Sequence, residues 1–461
     1  MVVTLVLSQL VADELETAVR YEFETAGVLL ASVVETDNGE IRLLARQIRW
    51  VDESAYLRRE RDHLSIASQG YVPALGQAEK LGAVAIWVHT HPGVSSSPRP
   101  SEHDRRVDRE ISNLFRLRSG NRYYGALILS PRERDWAFTG HLDTEGGTTL
   151  SIERLLLAGD RFKLMRSCDA KTKVVSPVHD RNIRAFGESI QRALGDIHIG
   201  VVGCGGTGSA VAEQLVRLGV KRLTLIDPDE LSGSNVTRVY GSTLSDIGKP
   251  KVEVLADHLQ RIFRDVSCKI VRSMITTERT ARQLAECDLI FGCTDDNAGR
   301  LVLSRVVTYL LIPVIDCGVL LSSQEDGQLT GIDGRVTTLI PGQACLVCRG
   351  RIDLARASAE LLTPEERVRL ENEGYAPALG QTEPAVVTFT TFVAASAVSE
   401  LLERFIGYGP EPRPSEVLLR CHEREISTNT AAPRLRHYCH PSSGKLGAGT
   451  TTPFLEQTWP T

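Results

Sequence analysis

Apolar positions along the chain switch between two periods. VAIWVHTHP (84–92) and RYYGALILS (122–130) are rich in aromatic and β-branched residues and end at turn signals, which predicts strands. Between them, SEHDRRVDREISNLFRLR (101–118) places Ile111, Leu114 and Phe115 on one helical face. Ser101 is a good N-cap and acids occupy the first turn, so a helix is predicted there. The opening MVVTLVLSQLVADELE reads as a strand running into a helix: its apolar run breaks at Ser8 and Gln9, and it lacks the basic n-region of a signal peptide. Further on, HIGVVGCGGTGS, KRLTLIDPD, CKIVRSMI, CDLIFGCTDDN and PVIDCGVLL read as strands separated by helix-like stretches. That βαβ alternation predicts a parallel, doubly wound sheet.

The period disappears in SCDAKTKVVSPVHD and again in the terminal GAGTTTPFLEQTWPT. The expected organisation is an N-terminal α+β domain over 1–165, a linker over 166–178, a doubly wound α/β domain over 179–445 and a flexible tail over 446–461. GYVPALGQ (70–77) and GYAPALGQ (374–381) nearly match, but their flanks differ, so chance or shared loop geometry is favoured over a true repeat.

Composition narrows the function classes. The 461 residues carry a formal net charge of -5, which argues against a protein that binds nucleic acid by neutralising phosphates. No apolar stretch approaches the roughly 18 residues needed to span a bilayer, so no membrane partner is expected. Ten cysteines are scattered, and only Cys345 and Cys348 form a close pair. That usage fits a reducing cytoplasm with one metal site better than a disulfide framework.

The first chemistry-bearing pattern is HTH-x9-S-x-x-D. On a strand, His89 and His91 point to the same face. Asp104 falls in the first turn of the following helix, where the macrodipole favours a carboxylate. Two histidines and one carboxylate leave a tetrahedral zinc with an open position, as catalytic sites require. Hydrolysis also needs a carboxylate to move the proton, and Ser101 is placed to hydrogen-bond a developing oxyanion. A bare H-x-H is usually an ordinary pair of strand residues, and His103 reads as a solvent-facing helix residue. The combined motif resembles the JAMM (MPN+, or JAB) signature over about the first 150 residues. That resemblance implies a metallo-isopeptidase acting after the C-terminus of a ubiquitin-like protein. It also implies that the acid/base glutamate lies in ETAGVLLAS, which is Glu24 rather than the nearby Glu22.

The second pattern is GVVGCGGTGS. Gly203, Gly205 and Gly208 satisfy G-x-G-x-x-G, with Gly206 and Ser209 in the same turn, so backbone can approach a phosphate at a helix N-terminus. Asp227, at the end of the next strand, is placed to grip ribose hydroxyls. This much would equally suit a nicotinamide dehydrogenase. DPDELSGSNVTR, GKPKVE and CTDDN, in that order and spacing, resemble the ThiF/MoeB/HesA superfamily from about residue 178 to 440, which includes the ubiquitin-activating enzymes. The resemblance implies ATP and Mg2+ as cofactors. Asp227 and Asp229 would hold the ribose, Asn235, Arg238 and Lys251 the triphosphate, and Asp295 the Mg2+. It further implies that Arg184, in RNIRAFGESIQRAL, reaches the nucleotide of a partner subunit, hence a homodimer. Alone, Arg238 or Lys251 would read as surface charge and Asp295 as a helix cap.

CLVC (Cys345 and Cys348) is half of a structural zinc knuckle, as in many members of that superfamily. LRHYCHP makes Cys439 the expected third ligand and leaves His437, His440 or Cys421 as the fourth. The stretch GYAPALGQTEPAVVTFTTFVAASAVSELLERF has no cysteine where ubiquitin-activating enzymes form their thioester, and Cys317 is expected to be buried. The expected product is therefore an acyl-adenylate passed to an external thiol, of a conjugating enzyme or of a sulfur donor. Two rivals are activation of a ubiquitin-like sulfur carrier and a modifier-binding scaffold with one inactive site.

Overall fold

The computed structural model describes residues 2–61, 63–95, 97–133, 135–168, 175–323, 329–372 and 385–460. Part of the expected linker and the second GYAPALGQ segment lie outside them. The chain divides into two compact units, Met1–Thr172 with Leu446–Thr450, and Lys173–Lys445 with Thr451–Thr461.

The first unit runs β1 (Val3–Ser8), α1 (Gln9–Val19), β2 (Ala26–Glu35), β3 (Ile41–Trp50), β4 (Tyr56–Arg59), β5 (Leu64–Ile66) and α2 (Val72–Leu81). It continues through β6 (Val84–Thr90), α3 (Glu102–Ser119), β7 (Tyr123–Pro131), β8 (Trp136–Thr144), β9 (Thr149–Ala158) and β10 (Phe162–Arg166). The main sheet has the order β1-β3-β2-β6-β7-β8-β9-β10, and β1 also pairs with β9, so the sheet closes on itself. Strand alternation sorts its side chains into two cores. Leu29, Ala31, Ile86 and Val88 pack with the apolar face of α1, whereas Val28, Leu30, Ala85 and Trp87 pack with α2 and α3 through Leu75 and Phe115. The strand–helix opening and the helix at 101–118 are as the sequence predicts, and α3 is bounded by a Ser101 capping box and a left-handed Gly120.

The second unit runs α4 (Asp180–Phe186), α5 (Glu188–Asp196), β11 (His198–Val202), α6 (Gly206–Arg217), β12 (Arg222–Ile226), α7 (Lys251–Ile262), β13 (Ser267–Val271) and α8 (Glu278–Gln283). Then come β14 (Leu289–Gly292), α9 (Asn297–Leu310), β15 (Val314–Ser323), β16 (Leu329–Leu339), α10 (Leu354–Glu360), α11 (Pro364–Asn372), α12 (Val387–Ile406), β17 (Glu416–Arg420) and β18 (Glu425–Asn429). The order β13-β12-β11-β14-β15 is parallel, and the chain crosses from one side of β11 to the other. Such a reversal opens a crevice at the strand ends, where ligands bind. The strands predicted from the sequence end with this parallel part. β16, β17 and β18 extend the sheet antiparallel from β15.

The terminal segment expected to be a flexible tail is packed in its later part. Phe454 and Leu455 are buried, the Arg282 guanidinium lies 4.1 Å over the Phe454 ring, and Arg305 donates to the Leu455 carbonyl at 2.8 Å. Burial of two apolar side chains, not periodicity, anchors it, and a stretch this short shows no period.

Candidate functional site

β6 and α3 build the first site. His89 continues the face of Ala85 and Trp87, against which α3 packs, so the N-terminus of α3 arrives over the two imidazoles. His89 Nε2 is 3.3 Å from one Asp104 oxygen, His91 Nε2 is 3.4 Å from the other, and the two Nε2 atoms are 3.2 Å apart. Their ligating atoms all lie within 4.8 Å of one another, close enough to share one ion. Three groups with N, N and O donors on one side of an open position suit zinc.

Burial opposes ionisation of Asp104, but hydrogen bonds with His89 and His91, the charge of His89 and then the Ser101 side chain outweigh it and hold the carboxyl far below its usual range. Asp104 also closes the helix cap: Ser101 N donates to Asp104 Oδ2 at 2.6 Å, and Asp104 N donates to Ser101 Oγ at 3.1 Å.

Glu24 is buried, at 7% exposure. Ala26 of β2 pairs with His89, and Thr25 and Thr90 exchange hydrogen bonds one step further on. Glu24 thus lies two residues before the point where β2 pairs with the strand of His89, and its N–H donates to the Glu60 carbonyl at 2.9 Å. The loop is pinned by Arg59, whose Nε donates to the Glu24 carbonyl at 3.0 Å and whose Nη2 donates to Thr25 Oγ1 at 2.7 Å. Glu22 is exposed. His103 is half-buried, not solvent-facing: it stacks on His63 at 5.1 Å, with Nε2 3.3 Å from the Leu64 carbonyl.

One group escaped the sequence reading. Asp108 lies one turn beyond Asp104 on α3 and accepts from the buried Tyr124 hydroxyl at 2.8 Å. Burial raises its pKa against that bond. The D-x-x-x-D spacing on a helix was the available signal.

The second site forms at the crevice of the doubly wound sheet. Gly203 has φ +90, a left-handed value that favours glycine, and a Cβ there would strike the Cys293 carbonyl oxygen at 2.6 Å. A Cβ on Gly208 would sit 1.8 Å from the Gly203 carbonyl oxygen, so α6 packs directly against the turn. Gly205 faces open space and Gly206 adjoins the Arg238 side chain.

Asp227 Oδ2 accepts from Cys204 N at 2.7 Å and Oδ1 from Asp229 N at 2.9 Å, so this carboxylate braces the turn. Burial raises its pKa, against the pull of Lys251 and the two backbone donors. Lys251 opens α7, with Nζ 2.7 Å from Asp229 Oδ2 and 3.8 Å from Asp227 Oδ1. Asp229 is the more exposed of the two aspartates. Asn235 Oδ1 accepts from Ser232 N at 3.2 Å, and Arg238 donates to the Ser234 carbonyl at 3.0 Å. Ser209 is fully buried, and its hydroxyl accepts from Tyr240 N at 3.0 Å, which ties this loop to α6. The cap of α9 is Asp296, not Asp295; Asp295 is exposed, with no hydrogen bond or ion pair among the described residues. The Arg184 side chain is 79% exposed and among the described residues pairs only with Asp180, at 2.9 Å.

The third cluster joins Cys345, Cys348, His437 and Cys439, whose ligating atoms all lie within 4.8 Å. His437 Nδ1 lies 3.4 Å from Cys348 Sγ and 3.2 Å from Cys439 Sγ. A hydrogen bond from Cys439 draws the Cys345 thiol down to about 5 against burial. Three sulfurs and one imidazole match a closed zinc site. Of the three residues left open as the fourth ligand, only His437 joins the cluster. His440 instead caps a 3-10 turn, accepting from Ser442 N at 3.1 Å, and Cys421 follows β17. Cys317 is buried, as expected.

A closed α/β unit with a metal-ligand triad, followed by a doubly wound unit with a glycine phosphate turn, defines the class. The chain belongs to the ThiF family, whose family model matches residues 179–440, and residues 5–139 match the model for prokaryotic homologs of the JAB domain. Both resemblances read from the sequence are borne out. Among curated relatives, the molybdopterin-synthase adenylyltransferase of Escherichia coli (strain K12) is 32% identical over 170 residues, covering 37% of this chain and 65% of that protein. The SAMP-activating enzyme E1 of Haloferax volcanii is 28% identical over 148 residues, covering 32% and 51%. The sulfur carrier protein ThiS adenylyltransferase of Escherichia coli (strain K12) is 28% identical over 160 residues, covering 34% and 60%. The chain thus spans between half and two thirds of each. No helix among the described residues is long and apolar enough to cross a membrane.

Proposed function

We propose that this chain serves a ubiquitin-like modifier twice: the second unit adenylates the modifier's C-terminus with ATP, and the first is a zinc isopeptidase that cleaves after it. The observation that carries the reading is that one chain holds both the His89–His91–Asp104 triad and a glycine turn bordered by Lys251, Arg238 and the Asp295 loop.

In the first unit a zinc ion, when bound, supplies a Lewis acid and a water of lowered pKa. Glu24 would move a proton from the attacking water to the leaving amine, and the Ser101 hydroxyl would donate to the oxyanion. In the second, Arg238 and Lys251 would balance charge on the triphosphate while the modifier's carboxylate attacks the α-phosphate and displaces pyrophosphate, and Asp295 would hold Mg2+. Asp229 and Asp227 hold the ribose. The exposure of Arg184 supports its reaching the nucleotide of a second copy in a homodimer. A structural zinc in the Cys345–Cys348–His437–Cys439 cluster secures the segment near residue 439 to the sheet.

The similarity to the sulfur carrier protein ThiS adenylyltransferase favours a second reading, activation of a ubiquitin-like sulfur carrier. The test is incubation with ATP, Mg2+ and a ubiquitin-like protein encoded beside this gene, followed by mass spectrometry. An adenylate, alone or passed to an external thiol, supports the first reading, and a thiocarboxylate formed only with a sulfur donor selects the second. Absence of any adduct or pyrophosphate exchange overturns both.

A further inference from the structure

The loop carrying Glu24 borders a cavity of about 700 Å³ in the first unit. Its walls include four aromatic rings, Tyr21, Phe23, Trp50 and Tyr56. Tyr21 and Phe23 stand half-exposed at 50% and 46%. Trp50 lies against β2 because its partner there is Gly27, where an added Cβ would come within 3.0 Å of the ring. Phe23 and Thr25 line the cavity while Glu24, between them, does not.

Charge selects the occupant. The lining holds four carboxylates, Asp13, Glu14, Glu22 and Glu53, against one guanidinium, Arg59. Arg59 is already committed: Nη1 pairs with Glu53 at 2.5 Å, Nε and Nη2 hold the Glu24 loop, and the group lies 4.7 Å over the Tyr56 ring. Among the described residues Asp13 and Glu14 receive neutral donors only, Gln9 Nε2 at 2.6 Å and Trp50 Nε1 at 3.1 Å, with no ion pair to balance their charge. Glu22 has no hydrogen bond or ion pair among the described residues. An aromatic wall edged with three unbalanced carboxylates attracts a cation and repels an anion.

We propose that this cavity binds the cationic side chain, arginine or lysine, of a polypeptide ligand. The aromatic faces take its aliphatic stem and its charge, and Glu14 and Glu22 take its N–H groups. The proposal rests on the cavity and requires no hydrolysis, so its failure is separate from failure of the zinc-isopeptidase reading.

The test uses the full chain titrated calorimetrically with acetyl-Gly-Gly-Arg-Gly-Gly-amide and with the same peptide carrying citrulline, an uncharged isostere. The arginine peptide is expected to bind saturably and about tenfold more tightly than the citrulline peptide. The Glu14→Gln/Glu22→Gln chain, altered only at exposed positions, is expected to bind the arginine peptide about five- to tenfold more weakly. Binding should also shift tryptophan fluorescence, and Trp50→Phe should abolish the shift. Equal binding of the two peptides, binding of neither, an unchanged double variant, or a fluorescence shift that survives Trp50→Phe overturns the proposal.

Discussion

The different roles proposed for Glu24 and Lys251 can each be tested by replacing one side chain. Glu24→Gln keeps the volume but cannot carry the proton, so cleavage of a modifier fusion should fall by about 10²–10⁴-fold. Bound zinc, measured in the same sample, should be unchanged, because the ligands remain. Unaltered cleavage would refute the role assigned to Glu24. Lys251→Ala removes the cation beside Asp227 and Asp229. ATP–pyrophosphate exchange should then drop by about 10²–10³-fold, and an unchanged rate would support a binding scaffold instead.

Elements are held by close packing and buried charge. Gly208→Ala puts a methyl group 1.8 Å from the Gly203 carbonyl oxygen, so the turn or α6 must move. A stability loss of about 1–3 kcal/mol is expected by urea unfolding, together with weaker nucleotide binding. In the antiparallel extension, Glu416 of β17 is 1% exposed and meets Arg351 at 2.8 Å. Burial would raise its pKa, but the Arg351 hydrogen bond and charge, with Asn429 and Arg335, lower it below the ordinary 4.5. A depressed folded pKa means that this stabilisation is complete above the unfolded value and is lost as pH falls through the folded one. Glu416→Ala should cost about 3–5 kcal/mol at neutral pH. The gap from the parent chain should narrow below pH 4.5. A gap constant with pH would contradict the ion pair.

At the scale of the whole molecule, the two candidate sites lie in separate compact units. Glu24→Gln should leave pyrophosphate exchange intact, and Lys251→Ala should leave cleavage intact. Elemental analysis should find two zinc ions per chain, and Cys348→Ser should remove one while the hydrolase centre keeps the other. Loss of both ions together would show that the centres are not independent.

The sequence by itself determined whatever depends on local order. H-x-H on a strand shares a face by pleat geometry, Ser101 and Asp104 sit at fixed offsets in a helical turn, and glycine spacing specifies a phosphate turn. Those patterns were legible without coordinates, as was the βαβ alternation. Tertiary structure alone decided which distant groups meet. Pairing of β2 with β6 brings the Glu24 loop beside the strand of His89, packing selects His437 over His440 and Cys421, and burial of Phe454 and Leu455 anchors a terminus with no period. The cavity beside Arg59 belongs to the same class, because α1, β3 and β4 contribute to one wall from positions far apart in the chain. Periodicity reports how a segment presents its own side chains; which segment it faces is set by long-range pairing and packing, which no local window contains.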